Sequence, residues 1–207
     1  MSDWYSNVHL LVRWLHVIAG ITWIGHLYFF NFVNVPLQGS LDDATKKAVN
    51  PQLMPRALWW FRWGAMITML AGLMLFALVY WYTPGLGFGP NGLLIENSGL
   101  TARGAWILLG MGMAMIMWFN VWMIIWPAQK KLLTGKVPAE QAPAVRKKAL
   151  LASRINTFLS APMLFCMLAP SHYGAMSPCS VAMVFGVGFL VIWLSIRSST
   201  SVGKLTK

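Results

Sequence analysis

Five stretches of this chain are each long and apolar enough to cross a lipid bilayer, and nothing else in the sequence constrains the fold as much. A helical span needs about 20 mainly apolar residues to cover a hydrocarbon core of roughly 30 Å. Residues 7–34, 57–82, 103–126, 148–170 and 179–196 meet that requirement. No water is available in the core for backbone N–H and C=O groups, so each stretch must satisfy them internally as a helix. The expected fold is therefore an all-α integral membrane protein: one multi-span domain over residues 1–207 with five transmembrane helices, a four-helix bundle plus one peripheral helix. Trp59, Trp60, Tyr80, Trp81 and Tyr82 mark span ends, where amphipathic rings prefer to lie.

The formal charge is +11, with 16 Lys and Arg against 5 Asp and Glu. In a soluble protein that balance would suggest nucleic acid. Here the cations fall between the apolar blocks, so no nucleic-acid partner is expected and the charge reads as topology. Lys46, Lys47 and Arg56 lie in the 36–56 connection; Lys130, Lys131, Lys136, Arg146 and Lys147 lie in 127–147; Arg197, Lys204 and Lys207 lie in the tail. The alternate connections are nearly bare: 83–102 carries only Glu96, and 171–178 has no Lys or Arg. This alternation predicts an N-terminus outside and a C-terminus in the cytoplasm, in a multi-pass protein of a bacterial inner membrane surrounded by lipid. The first span lacks a basic leader and is too long for a cleaved signal, so it is expected to be retained. Cys166 and Cys179 have no zinc-site spacing, and the absence of CxxCH excludes covalent c-type haem. The glycine-rich segment 83–94, without GK[ST], reads as an outer loop rather than a phosphate cradle.

Ionisable side chains are costly in hydrocarbon and usually face the bundle interior. His9 and His16, seven residues apart, share one face of the first helix, with their levels about 10 Å apart. His26 lies ten residues beyond His16, rotated by roughly 80°. The fourth span runs the opposite way and ends in "APSHYG", which brings His172 to the outer side near the His16 layer. Histidines on two helices at one level are an arrangement that holds b-type haem by two axial imidazoles. Arg13 and Arg103 would pair with its propionates, and Gly110 and Gly112 would admit a flat macrocycle or another helix. The alternatives are plainer: a membrane histidine bonded to a carbonyl or serine, an interfacial His9, and Met111, Met113, Met115 and Met117 as filler. A second polar layer, Asn31, Asn34, Arg62, Asn120, Arg154 and Asn156, reads as a shared interhelical network, or as an anionic-substrate or quinone pocket built on Arg62 and Arg154.

Three segments, "RWLHVIAGITWIGHLYFFNFVNVP", "NVWMIIWPAQKKL" and "SRINTFLSAPMLFCMLAPSHYG", together resemble the membrane domain of the bacterial urate hydroxylase (PuuD) family over nearly the whole chain. Better known members carry a C-terminal cytochrome c domain, of which this sequence has no CxxCH. More distantly, the first-helix pattern of Leu15, His16, Trp23 and Gly25 is similar to HemJ-type protoporphyrinogen oxidases. Both resemblances imply a haem or porphyrin site around His16, with His172 as second metal ligand and His26 as a weaker one; haem b is the expected cofactor, and His9, on the same face as His16, is a further candidate beside it. The expected function is an inner-membrane haem protein that transfers electrons to or from a partner oxidoreductase or a soluble cytochrome c. The rivals are a non-catalytic accessory subunit of a larger membrane complex, and a membrane oxidase acting on urate or a porphyrinogen. No flavin or nicotinamide fingerprint is present.

Overall fold

The computed structural model describes residues 3–85, 87–89, 93–95 and 99–203. Glu96, Lys204, Lys207 and part of the glycine-rich 83–94 segment lie outside the described residues. Helix α1 (Trp4–Tyr28) passes through a π-helical turn (Phe29–Asn34) into α2 (Val35–Ser40). Helix α3 (Asp43–Phe76) continues into a second π-helical turn (Ala77–Trp81). Helix α4 (Ala102–Phe119) passes through a third (Asn120–Ile125) into α5 (Trp126–Leu133), and α6 (Ala142–His172) and α7 (Pro178–Ser198) complete the chain. Among the described residues, five continuous helical units are thus long and apolar enough to cross a membrane.

The helices outrun the apolar stretches that announced them. A proline lacks an N–H, and its ring clashes with the carbonyl four residues earlier, so Pro36 and Pro127 read as stops. Wider turns just before each remove the conflict: Val35 N–H bonds Phe30 C=O, and Trp126 N–H bonds Val121 C=O. Much of the expected 36–56 and 127–147 connections is helical as a result. The first shrinks to Leu41 and Asp42, the second to 134–141. Asp42 caps α3 by accepting from the Thr45 N–H and hydroxyl; these bonds, the hydroxyl's first, hold its carboxyl below the usual range. Between the second and third units, Tyr82–Thr83 (β1) pairs with Gly87–Phe88 (β2), and Leu94–Ile95 (β3) with Gly99–Leu100 (β4), both antiparallel.

Helix α1 packs along α3, α4 along α6, and α7 against the outer side of α6. Lipid tails offer helices no hydrophobic drive to associate, so contact depends on close approach, and small residues line each seam. A Cβ on Gly64 of α3 would lie 3.1 Å from Trp23 N on α1, and one on Gly72 would lie 2.9 Å from His16 Cε1. A Cβ on Gly110 of α4 would lie 2.9 Å from Cys166 Cβ on α6, and one on Gly188 of α7 3.0 Å from Pro162 Cδ. Gly110 therefore serves helix packing, whereas Gly112 has open space. Met113 and Met117, one turn apart, are buried in the core with Trp23, Leu27, Phe61 and Trp106, while Met115 is exposed. Met113 and Met117 act as packing.

Buried amides join the α4–α6 pair. Asn120 Nδ2 donates to Asn156 Oδ1 at 2.8 Å, and Asn156 Nδ2 donates to the Met117 carbonyl at 2.9 Å. Asn156→Ala strands the Asn120 amide; in a membrane the loss is expected to be about 1–2 kcal/mol, a fall of a few degrees in the thermal midpoint in detergent. The cycle of Asn120→Ala, Asn156→Ala and the double variant checks it, because a coupling near zero would mean that the amides do not bond.

Candidate functional site

His16 projects from α1 onto α3. Its Nδ1 lies 2.9 Å from the Thr68 carbonyl oxygen, and its ring is seated against Gly72. A carbonyl only accepts, so Nδ1 carries the proton, and among the described residues the Nε2 lone pair has no hydrogen-bond partner. The main chain of α3 thereby sets the tautomer. The Thr68 hydroxyl donates to Gly64 C=O at 2.7 Å, which turns the polar part of that side chain back onto its own helix.

His9 and His172 are held differently, whereas His26, like His16, spends its Nδ1 on a main-chain carbonyl. His9 Nε2 accepts from Arg13 Nη2 at 3.0 Å, and the Tyr5 ring stacks on it with centroids 6.3 Å apart. Tyr5 is in turn tied through its hydroxyl to Leu78 C=O. His9 is therefore a clamp at the helix end whose outward nitrogen is occupied. His26 donates from Nδ1 to Thr22 C=O on its own helix at 2.7 Å, an i−4 bond that reaches no neighbour. His172 is exposed as the last residue of α6.

Antiparallel register places these residues relative to one another. Tyr28 Oη lies 2.9 Å from Ser160 Oγ, linking α1 to α6. Twelve residues from that bond toward the other end, about 18 Å at 1.5 Å per residue, lie His16 on α1 and His172 on α6. On the neighbouring seam, Gly110 faces Cys166 and Trp106 Nε1 donates to Ala175 C=O at 2.9 Å, so Arg103 arrives at the same end. Its Nε donates to Tyr80 Oη at 3.3 Å, and its guanidinium lies 5.1 Å from the centre of that ring. His16, His172, Arg13 and Arg103 thus gather at one end of the bundle. The His16 ring is turned toward α3, and no bond joins it to His172. Among the described residues there is no group of three or more His, Cys, Asp and Glu side chains that could hold a metal ion.

An iron held by axial imidazoles asks each for one Nε2 lone pair, with the other ring N–H bound to a carbonyl or similar acceptor. His16 meets both conditions. The group's carboxylates ask for cations nearby, which Arg13 and Arg103 supply. The donor chemistry at this end fits a haem; that of His9 does not.

At the opposite, basic end the expected shared polar layer resolves into separate contacts. Asn31 Nδ2 donates to Ser153 Oγ at 2.8 Å, and Asn120 pairs with Asn156 as described. Asn34 and Asn50 meet through Gln38. Arg154 lies one turn before Phe158, whose ring packs on Phe189 of α7, and its Nη1 is buried without a hydrogen-bond partner. Arg62 sits among indoles instead: its guanidinium is 3.8 Å from the centre of Trp126, 5.8 Å from Trp122 and 5.9 Å from Trp63. Arg62 Nε, Trp118 Nε1 and Trp122 Nε1 are buried without a hydrogen-bond partner. Sequence reasoning grouped Arg62 with the amides and missed this cage; the four-residue spacing of Trp118, Trp122 and Trp126 was its only trace.

The family described as urate oxidase N-terminal matches residues 2–47, 38–88 and 93–202. No curated protein and no solved structure matches the chain.

Proposed function

The chain belongs to the urate oxidase N-terminal family, and from that premise we propose that it is the membrane component of a urate hydroxylase-type redox system, an inner-membrane protein that holds b-type haem at His16. The observation that carries this reading is the His16 bond to the Thr68 carbonyl, which leaves Nε2 free and the ring immobilised against Gly72. A carbonyl on the distal nitrogen also raises the basicity of the ligating one. His172 is the second ligand, reached from α6 at the same level. Arg13 and Arg103 orient the carboxylates. When bound, the haem supplies one-electron transfer at a potential set by its ligands and by the low dielectric around it.

With the basic connections on the cytoplasmic side, this end of the bundle faces outward. A soluble cytochrome c or a partner oxidoreductase would exchange electrons there. His9, bound by Arg13 and stacked on Tyr5, holds Arg13 in place.

A second reading has one observation in its favour: the His16–Thr68 bond by itself satisfies a partly buried imidazole, as packing in an accessory subunit would require. Absorption separates the two. Protein purified in mild detergent from haem-replete cells is expected to give a sharp reduced α-band in a dithionite-minus-oxidised spectrum. The His172→Ala variant, altered at an exposed residue, is expected to fold normally but to lose the six-coordinate band shape. A flat spectrum from folded wild-type protein would leave the accessory-subunit reading standing.

A further inference from the structure

We propose that the seam between α3 and α4–α5 binds one anionic phospholipid, with its phosphate on Arg62 and an acyl chain in the apolar groove that continues from it. The argument starts from a missing counter-charge. The chain has five acidic residues. Asp3, Asp42, Asp43 and Glu140 lie at helix ends or in connections, and Glu96 is outside the described residues. Asp43, on the same helix as Arg62, is 19 residues away, about 28 Å along the axis. Among the described residues no carboxylate pairs with this guanidinium.

Trp126 covers a face of Arg62 at 3.8 Å. Cation–π contact engages the face and leaves the in-plane N–H donors unused, as the unpartnered Nε shows. Those donors form a planar fork suited to two oxygens of a phosphate or carboxylate. The buried, unpartnered Nε1–H groups of Trp118 and Trp122 add donors along the same seam.

Depth selects a lipid over a soluble anion. Exposed Trp59 and Trp60 precede Arg62 and mark the interfacial belt, and Lys130 follows Trp126 by one turn at the basic end. From Arg62 the seam continues past the Trp63–Trp122 contact, 5.7 Å between centroids. It then opens as a groove of about 260 Å³ lined by Met69, Leu73, Met115, Trp118 and Phe119. Leu73, Met115 and Phe119 are exposed, so the groove is open to the bilayer. Arg62 and Leu73 are eleven residues apart, about 16 Å along the helix, close to half of a core of about 30 Å. A headgroup at Arg62 with a chain reaching Leu73 spans one leaflet. The charge selects an anionic headgroup, since a choline or ethanolamine cation would meet Arg62 and Lys130 with no acid to receive it.

Native mass spectrometry of the full chain, delipidated and titrated with dioleoyl phosphatidylglycerol or dioleoyl phosphatidylcholine, tests the site. A one-to-one phosphatidylglycerol adduct is expected at several-fold lower lipid concentration than the phosphatidylcholine one. Arg62→Gln should weaken it about five- to tenfold, the scale of one basic side chain at an anionic surface, and Arg62→Lys should restore part of the loss. If Arg62→Gln fails to fold, Leu73→Trp fills the exposed groove while keeping the cation, and should also weaken the adduct. Equal binding of the two lipids, or no change in either variant, overturns the proposal. Displacement by millimolar glycerol phosphate also overturns it, in favour of a soluble-anion site, and displacement by a neutral isoprenoid quinone at the same concentration overturns the charged headgroup.

Discussion

His16→Ala is expected to abolish the reduced α-band completely while the protein still inserts as five helices. The substitution removes the one Nε2, among the described residues, whose ring is held by a carbonyl of another helix. It leaves that carbonyl its own helical bond, because the acceptor is the main chain of Thr68. The packing loss is modest, since the ring is only partly buried and faces Gly72; about 1–2 kcal/mol is expected for a lost interhelical bond and contact. Haem content and stability therefore separate. His16→Gln sharpens the distinction: its amide can donate to the Thr68 carbonyl in the same place, preserving the interhelical bond, but offers iron no imidazole. Haem per protein, measured as the pyridine complex, should fall to background in both variants, and the thermal midpoint should fall mainly in the alanine one. If His16→Gln kept wild-type haem content, His16 would be a packing residue and the haem would have another ligand.

That division between glue and ligand could not be read from the sequence, and the reason is geometric. The carbonyl that decides the His16 tautomer belongs to residue 68, and nothing in a one-dimensional pattern says which face of α3 meets α1. What was legible depended on length alone. Apolar runs of about 20 residues fix the number of spans, and span lengths put His16 and His172 at one level, in agreement with the register of Tyr28 and Ser160. Helix ends were misread at Pro36 and Pro127, because a proline is a stop only where the turn before it stays α-helical; Asn31 and Asn120 each lie in a turn that widens instead. Gly110 showed the same limit: a missing Cβ signals close approach, but only the structure identifies Cys166 as the group that approaches. Arg62 was grouped with the amides, whereas indoles four residues apart along α4–α5 reach it instead.

Gly64→Leu is expected to damage the fold strongly, and it acts on the site as well. A Cβ at residue 64 would sit 3.1 Å from Trp23 N and 3.3 Å from Trp23 Cα. These are backbone atoms that no rotamer change can move. The remaining leucine atoms extend further into α1, so the two helices must separate or rotate. Overpacking of this kind costs about 1–3 kcal/mol in a soluble core, and a small-residue seam in lipid has no hydrophobic term to offset it. A fall in midpoint of about 6–12 °C follows for the upper end of that range. Gly112→Leu is the internal control: it gains the same helix propensity, about 1 kcal/mol, with nothing within 4 Å of its Cβ, and should melt at or above the wild-type temperature. Thr68 lies one turn beyond Gly64 on the same face, so separating α1 from α3 there also stretches the 2.9 Å bond to His16. Gly64→Leu should therefore lose haem as well as stability, although it touches no ligand. Equal melting of the Gly64→Leu and Gly112→Leu variants would mean that α1 is not seated on α3 at Trp23, and with that seat gone the fixed tautomer of His16 would have no structural cause.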